Sequence, residues 1–269
     1  MSYKLLWYSI PSLFDTSSGA AIRCRLMLKK LQERGIDVHI VTATGADHPT
    51  GISATMDELK QAMAKQQNNP QATMPESIRF NLDGMPYLLV PTHSSVYAEF
   101  NLKELSLLHN YFCHELMTFQ PDLIMGYGED LFSTISRHEA KSRGFPVVYA
   151  LCNGSQLSYN FPDCDLIFTT SQATCDYYKE KSGIRAKAVG NFIEPAMVLA
   201  TPEERKIEYV TMINPSQSKG LAIFIKLILA YTARHPEEQQ KFLLVKSRGN
   251  FVNIMRSLHF PNGAPLLQS

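Results

Sequence analysis

Between Pro121 and Pro195 short apolar runs alternate with amphipathic stretches, and this alternation constrains the fold more than any other feature of the chain. The runs are Leu123–Met125, Val147–Leu151 and Leu166–Phe168, each bounded by turn residues. The first and third lead into amphipathic segments of helical length. Strands this short and this uniformly apolar are buried on both faces, so they predict a parallel sheet covered by helices on either side. In such sheets ligands bind at the carboxyl ends of the strands. Those ends read Gly126-Tyr127-Gly128-Glu129, Cys152-Asn153-Gly154 and Thr169-Thr170-Ser171.

The residues before this stretch extend the same sheet. Lys4–Ile10 reads as a first strand, followed by the turn-rich PSLFDTSS. Gly19 opens a helix to about Arg34, with Ile22, Leu26, Leu28 and Leu31 on its apolar side and Arg23, Arg25, Lys29, Lys30 and Glu33 on its wet face. Gly35 stops it, and Val38–Val41 is the second strand. From Thr42 to about Ser77 the sequence is polar, with a possible helix at Met56–Lys65 and then loop. Ile78–Leu82 and Tyr87–Val90 predict a hairpin across Asp83-Gly84. Leu105, Leu108, Phe112, Leu116 and Phe119 mark a long helix ending at Pro121. Its His109 and His114 fall on different parts of the helix surface, so with Cys113 they do not predict a metal site.

After Pro195 the composition changes. Ala196–Arg205 reads as a linker, Tyr209–Ile213 as a buried strand, and Asn214–Ser218 as a loop. Lys219-Gly220 opens a helix with Leu221, Phe224, Ile228 and Tyr231 on one face, and Phe242–Val245 is the next strand. The expected organisation is a domain over 1–196, a linker over 197–206, and a partial second domain over 207–269, shorter than a full α/β domain.

Composition bounds the function. At 269 residues and 45% hydrophobic the chain can bury a sizeable core. A formal net charge of +1 gives no footing for nucleic acid. No apolar run approaches the roughly 18 residues of a membrane span, and MSYKLLWYSIPS reads as a strand rather than a signal peptide. The five cysteines are odd in number and lack paired spacing, so neither zinc nor a disulfide framework is expected, and a cytoplasmic setting fits.

Four segments, in order, resemble the nucleotide-sugar glycosyltransferases with two facing Rossmann-like domains, the GT-B architecture, and within them family 4. SSGAAIRCRLMLKKLQERGIDVHIVTA is similar to the family's glycine loop, helix and following strand. PDLIMGYG with GFPVVYALCN, then DCDLIFTTSQATCDYYKEKSGI with VGNFIEP, resemble the later parts of its N-terminal domain. YVTMINPSQSKGLAIFIKLI looks like the opening of its donor-binding domain. The resemblance implies an α/β chain made of a Rossmann-like N-terminal domain of GT-B type and the start of a second such domain. It implies transfer of a sugar from a UDP-, GDP- or ADP-sugar to a glycan, lipid or small-molecule acceptor, with retention, without metal and with no cofactor beyond the co-substrate.

Onto this pattern Lys219, ahead of Gly220, falls at the diphosphate-binding lysine; a solvated lysine at a helix start is the plain alternative. The family's upstream arginine is missing from Met212-Ile213-Asn214-Pro215, which shifts that duty to Asn214 or to Arg248 after the next strand. Ser17, Ser18 and Gly19 match the cleft loop, with an ordinary tight turn as the alternative. The family's histidine after the strand VVYAL is replaced by Cys152 and Asn153. Asn153 could bind a sugar and is the sole catalytic candidate, while Cys152 reads as a small buried cysteine. Glu129 could touch an acceptor or simply be solvated. Ser171 and Asn191 read as caps of a helix and a turn.

The family also carries two glutamates in its donor domain, yet the last acidic residue here is Glu238. The resemblance therefore implies an N-terminal portion of a longer transferase, inactive alone. The alternative is a non-catalytic Rossmann-like module that binds a nucleotide, a glycan or a protein. An apolar edge left by a partial second domain would favour self-association. A dinucleotide oxidoreductase is disfavoured by the lack of G-x-G-x-x-G after the first strand.

Overall fold

In the computed structural model, residues 2–48, 76–203 and 208–246 are described, with Phe251, Arg256, His259 and Gly263 beyond them. The chain forms two compact units, Met1–Val198 and Leu199–Ser269. The helix expected at Met56–Lys65 and the residue Arg248 lie outside the described residues.

The first unit is built on β1, Lys4–Pro11, whose six inner residues are all buried. Beside it lie β2 (Asp37–Gly45), β4 (Met85–Val90) and the edge strand β3 (Ile78–Leu82) on one side, and β5 (Leu123–Gly126), β6 (Val147–Ala150), β7 (Leu166–Thr169) and β8 (Lys187–Ala188) on the other. The order is β3-β4-β2-β1-β5-β6-β7-β8. Only β3 runs antiparallel, paired with β4 through Ile78↔Leu89 and Leu82↔Met85. Asp83 and Gly84 turn that hairpin with φ of 53° and 77°, the left-handed pair an Asp-Gly turn supplies.

Alternate residues of the central strands feed two cores. Leu5, Trp7, Val38 and Ile40 pack on α1 (Gly19–Gln32) through Cys24, Met27 and Leu28. Leu6, Tyr8, Val41 and Leu88 face Leu108, Phe112 and Leu116 of α2 (Leu102–Phe119), with α3 (Leu131–Ser142) alongside through Ala140. A capping box starts α2, with Asn101 accepting from the Glu104 N–H and Glu104 from that of Asn101. The crossover from β6 to β7 is a loop rather than a helix. It is filled by Phe161, whose ring meets Tyr149 at 4.9 Å and, at 6.1 Å, Tyr178 of α4 (Gln172–Ser182).

Several boundaries differ from expectation. β2 runs on to Gly45 because Thr42 and Thr44 are buried rather than solvated. Thr42 pairs with Leu89 and its hydroxyl donates to the Pro11 carbonyl at 3.1 Å. α1 ends at Gln32, two residues before Arg34, and Gly35, at φ 86°, donates back to the Gln32 carbonyl. The two-residue β8 carries too little pattern to be foreseen. Pro195–Val198 forms a helical turn, α5, that runs into the residues expected to begin a linker.

In the second unit β9 (Tyr209–Ile213) and β10 (Lys241–Val245) pair in parallel, joined by α6 (Leu221–Arg234). Leu221 and Phe251 pack with Met212, Ile225 and Leu244. β9 is not the buried strand expected. Four of its five residues are exposed, because among the described residues this sheet has two strands and one covering helix. No described helix is long and apolar enough to cross a membrane.

Candidate functional site

In the first unit the connections leave β1 in opposite directions, to β2 on one side and, after β4, back to β5 on the other. The crevice at the carboxyl ends of β1 and β5 is therefore the topological switch point, where open α/β sheets bind ligands. The loops converging on that end of the sheet are 12–18, 127–130 and 151–155.

The first loop is organised by Asp15, which is 1% exposed. Its Oδ1 accepts from the Ser17 N–H at 2.8 Å and from the Ser17 hydroxyl, while Oδ2 accepts from the Asp47 N–H at 2.7 Å. The loop is thus built before any ligand arrives. Ser18, at the N-cap of α1, is extended and makes no side-chain cap bond, and the first turn of α1 holds no acidic residue. The N–H groups of that turn and the positive end of the helix dipole are left for an anion. A Cβ at Gly19 would meet nothing within 4 Å.

The second loop begins where β5 presses on β1. A Cβ at Gly126 would lie 2.1 Å from the Tyr8 carbonyl oxygen, so only glycine fits. Gly128, at φ 123°, donates to the Tyr149 hydroxyl at 3.3 Å. Glu129 is exposed, and Asp130 caps α3 by accepting from the Ser133 N–H at 2.8 Å. Tyr127 stacks edge-on against Trp7 at 5.6 Å, and its hydroxyl is buried with no hydrogen-bond partner among the described residues. Burial, with Cys24, Cys152, Asp47 and Asp15 nearby, pushes that phenol well above its ordinary range.

In the third loop Cys152 is half-buried and accepts from Arg23 Nη2 at 3.0 Å. Arg23 therefore leaves the wet face expected for it and reaches across to the end of β6. Hydrogen bonding from Cys24 and the Arg23 charge lower the Cys152 thiol against the opposing pull of burial, and the same contact with Cys152 raises Cys24. Asn153 is exposed, but its Oδ1 is engaged in a turn, accepting from the Ser155 N–H at 3.1 Å and hydroxyl at 2.8 Å. Ser171 caps α4, accepting from the Thr174 N–H at 3.2 Å, as expected. Asn191 lines an open groove of about 270 Å³ beside α1, with Ile22, Leu26, Phe192 and Ile193. His109 hydrogen-bonds Ser136 at 2.9 Å, and no metal-binding group of three occurs among the described residues.

In the second unit Asn214 closes β9 at φ 54°, its N–H donating to the Val245 carbonyl at 2.9 Å. Lys219 ends a 3-10 turn, Gln217–Lys219, and is exposed. The helix expected to open at Lys219-Gly220 starts instead at Leu221, because Gly220 adopts φ 87° as its N-cap. Ser17, Ser18, Gly19, Glu129 and Asn153 thus belong to loops at one end of the first sheet, while Asn214, Lys219 and Gly220 border the α6 start in the second unit. Asp15, Arg23, Cys24 and Tyr127 were not singled out as site residues. Only Asp15 carried a signal, as an Asp two residues before a Ser in a turn-rich loop.

No protein-family model and no curated protein matches the chain. Solved structures do. A glycosyltransferase from Rickettsia africae aligns at TM-score 0.51 and 10% identity over 94% of this chain and 70% of that one. The catalytic domain of starch synthase IV from Arabidopsis thaliana, bound to ADP and acarbose, aligns at 0.51 and 12% over 98% and 73%. The trehalose-6-phosphate protein of E. coli, bound with UDP-2-fluoro glucose, aligns at 0.50 and 12% over 92% and 66%. This chain spans just under two thirds of the length of that last protein and 58% of Acinetobacter baumannii MurG. The likeness is one of fold: a Rossmann-like, mostly parallel sheet of the GT-B type, followed by a second unit that contains a strand–helix–strand.

Proposed function

We propose that the chain is the acceptor-side part of a nucleotide-sugar glycosyltransferase of the family 4 kind, with residues 1–196 as the acceptor domain, 197–206 as linker and 207–269 as the opening of the donor domain. The observation that carries this reading is the α1 start at the switch point, preorganised by Asp15 and uncapped by any side chain, on a sheet of GT-B type. Glycosyl transfer develops positive charge on the sugar and negative charge on a departing diphosphate, and fixed N–H donors and cations stabilise the latter. In this reading Lys219, Gly220, Asn214 and Arg248 serve the donor diphosphate. Ser17, Ser18, Gly19, Glu129 and Asn153 line the acceptor side. A cytoplasmic setting belongs to the same reading, supported by cysteines that lack paired spacing.

A second reading, a non-catalytic module for a nucleotide, glycan or protein, is favoured by one observation: residues 239–269 contain neither Asp nor Glu. Donor hydrolysis by a chain extended past Ser269 separates the two. Release of nucleoside diphosphate that disappears in Lys219→Ala supports the transferase; binding without turnover supports the module.

A further inference from the structure

Arg137, on the inner side of α3, is 5% exposed, yet its guanidinium forms no ion pair among the described residues. Its Nη2 donates to the Thr134 hydroxyl at 3.3 Å and to the Tyr159 hydroxyl. The cation also lies 5.1 Å from the centre of the Tyr149 ring and 5.8 Å from that of Tyr159. These groups are neutral, so they solvate the charge without cancelling it. A guanidinium cannot shed its proton to escape that cost. The buried Nε–H has no hydrogen-bond partner among the described residues. The Asp130 carboxylate, at the start of the same helix, spends its oxygens on the Ser133 N–H at 2.8 Å and hydroxyl at 2.6 Å. A second orphan lies on β1. Tyr8 is 3% exposed, and its hydroxyl too is buried without a partner among the described residues. Burial pushes that phenol well above its ordinary range, so it keeps its proton and is a donor. The Ser136 hydroxyl beside it is already bonded to His109 at 2.9 Å.

Both orphans line the same cavity, of about 10 Å³, between α3 and the junction of β1 with β5. That is room for one water-sized group. The rest of its wall, including Phe112, Ile124, Met125 and Val147, carries no side-chain acceptor. We propose that the cavity binds a single monatomic halide, chloride under ordinary conditions, held by the Arg137 Nε–H and the Tyr8 hydroxyl. A water accepting from both donors would turn its own hydrogens towards apolar side chains. A halide needs donors only, and it brings the charge that the guanidinium lacks. The bound ion ties α3 to β1 and β5, the two strands whose carboxyl ends form the switch-point crevice. It stands apart from the proposed transfer chemistry, which uses neither Arg137 nor Tyr8.

The test unfolds the 269-residue protein in urea over a chloride series, with ionic strength held constant by gluconate, an anion too large for the cavity. The expected result is saturable stabilisation. Above the dissociation constant, each tenfold rise in chloride multiplies the folded-to-unfolded ratio by about ten. Arg137→Met, which replaces the buried cation by an apolar side chain, should lose this dependence. Tyr8→Phe should need roughly tenfold or more chloride for the same effect. Should Arg137→Met fail to fold, the shift in Tyr8→Phe still decides. Crystals soaked in bromide should show an anomalous peak in contact with Arg137 Nε and Tyr8 Oη. Equal stability in chloride and gluconate, the same chloride dependence in both variants as in wild type, or density at the cavity without an anomalous signal, which marks a water, would overturn the proposal.

Discussion

Gly126→Ala probes the strand junction on which the switch-point crevice depends. Gly126 stands opposite Tyr8 in the β1–β5 register, and a methyl group there would meet the Tyr8 carbonyl oxygen at 2.1 Å. Ordinary van der Waals contact begins at 3.4 Å, so the two strands must separate locally by about 1.3 Å. Both partners are backbone, and β1 is fixed by pairing with β2 on its other side, so no flexible side chain can absorb the strain. Overpacking of this kind costs about 1–3 kcal/mol, and loosening one or two ladder hydrogen bonds adds about 1 kcal/mol each. The total is roughly 2–4 kcal/mol, which for a unit of this size lowers Tm by about 4–16 °C. In urea the midpoint should fall by about 1 M or more with the slope unchanged. Gly19→Ala is the matched control. With nothing within 4 Å of the new methyl, it should stay within about 0.5 kcal/mol of wild type. A wild-type midpoint for Gly126→Ala would refute the close approach of β5 to β1.

Other substitutions read the site and the far end of the sheet. Tyr127→Phe removes a buried hydroxyl that has no partner among the described residues, so urea unfolding of the free protein should show it unchanged or up to ~1 kcal/mol more stable; a clear loss of stability would mean the hydroxyl is satisfied. Glu115 is buried, bonded by His39 at 3.5 Å and Arg79 at 2.6 Å, and these contacts hold its carboxyl at about 2. Its folded value is depressed from 4.5, so its stabilisation is complete above pH 4.5 and lost as the pH falls towards 2. Wild type should lose about 2 kcal/mol more than Glu115→Gln across that window, a figure discounted for the exposure of Arg79; equal acid sensitivity in urea melts would contradict it. The second unit exposes Ile213 at 71% and Ile223 at 74%, and we expect concentration-dependent self-association in sedimentation, which a clean monomer would refute.

The parallel sheet was legible because its strands are short, apolar and separated by turn residues, as with Leu123–Met125 and Val147–Leu151. The Asp83-Gly84 hairpin and the Ser171 cap were legible for the same reason, since each rests on local chemistry. What escaped the sequence was decided by partners far along the chain. Thr42 and Thr44 read as loop until β1 and β4 bury them. Arg23 reads as a solvated helix residue, and only the fold carries it to Cys152, 129 residues later. Tyr127 reads as a turn residue, and its buried hydroxyl follows from Trp7 packing against its ring. Asn153 was picked for a sugar contact from its place after β6, whereas its own turn already uses its side-chain oxygen.

The central claim is that this chain handles a nucleotide sugar, and calorimetric titration of the reduced protein with UDP-, GDP- and ADP-glucose tests it most directly. The account predicts saturable binding of at least one of them, competed by the matching nucleoside diphosphate and weakened by Lys219→Ala. Absence of binding by all three donors and all three diphosphates would contradict it.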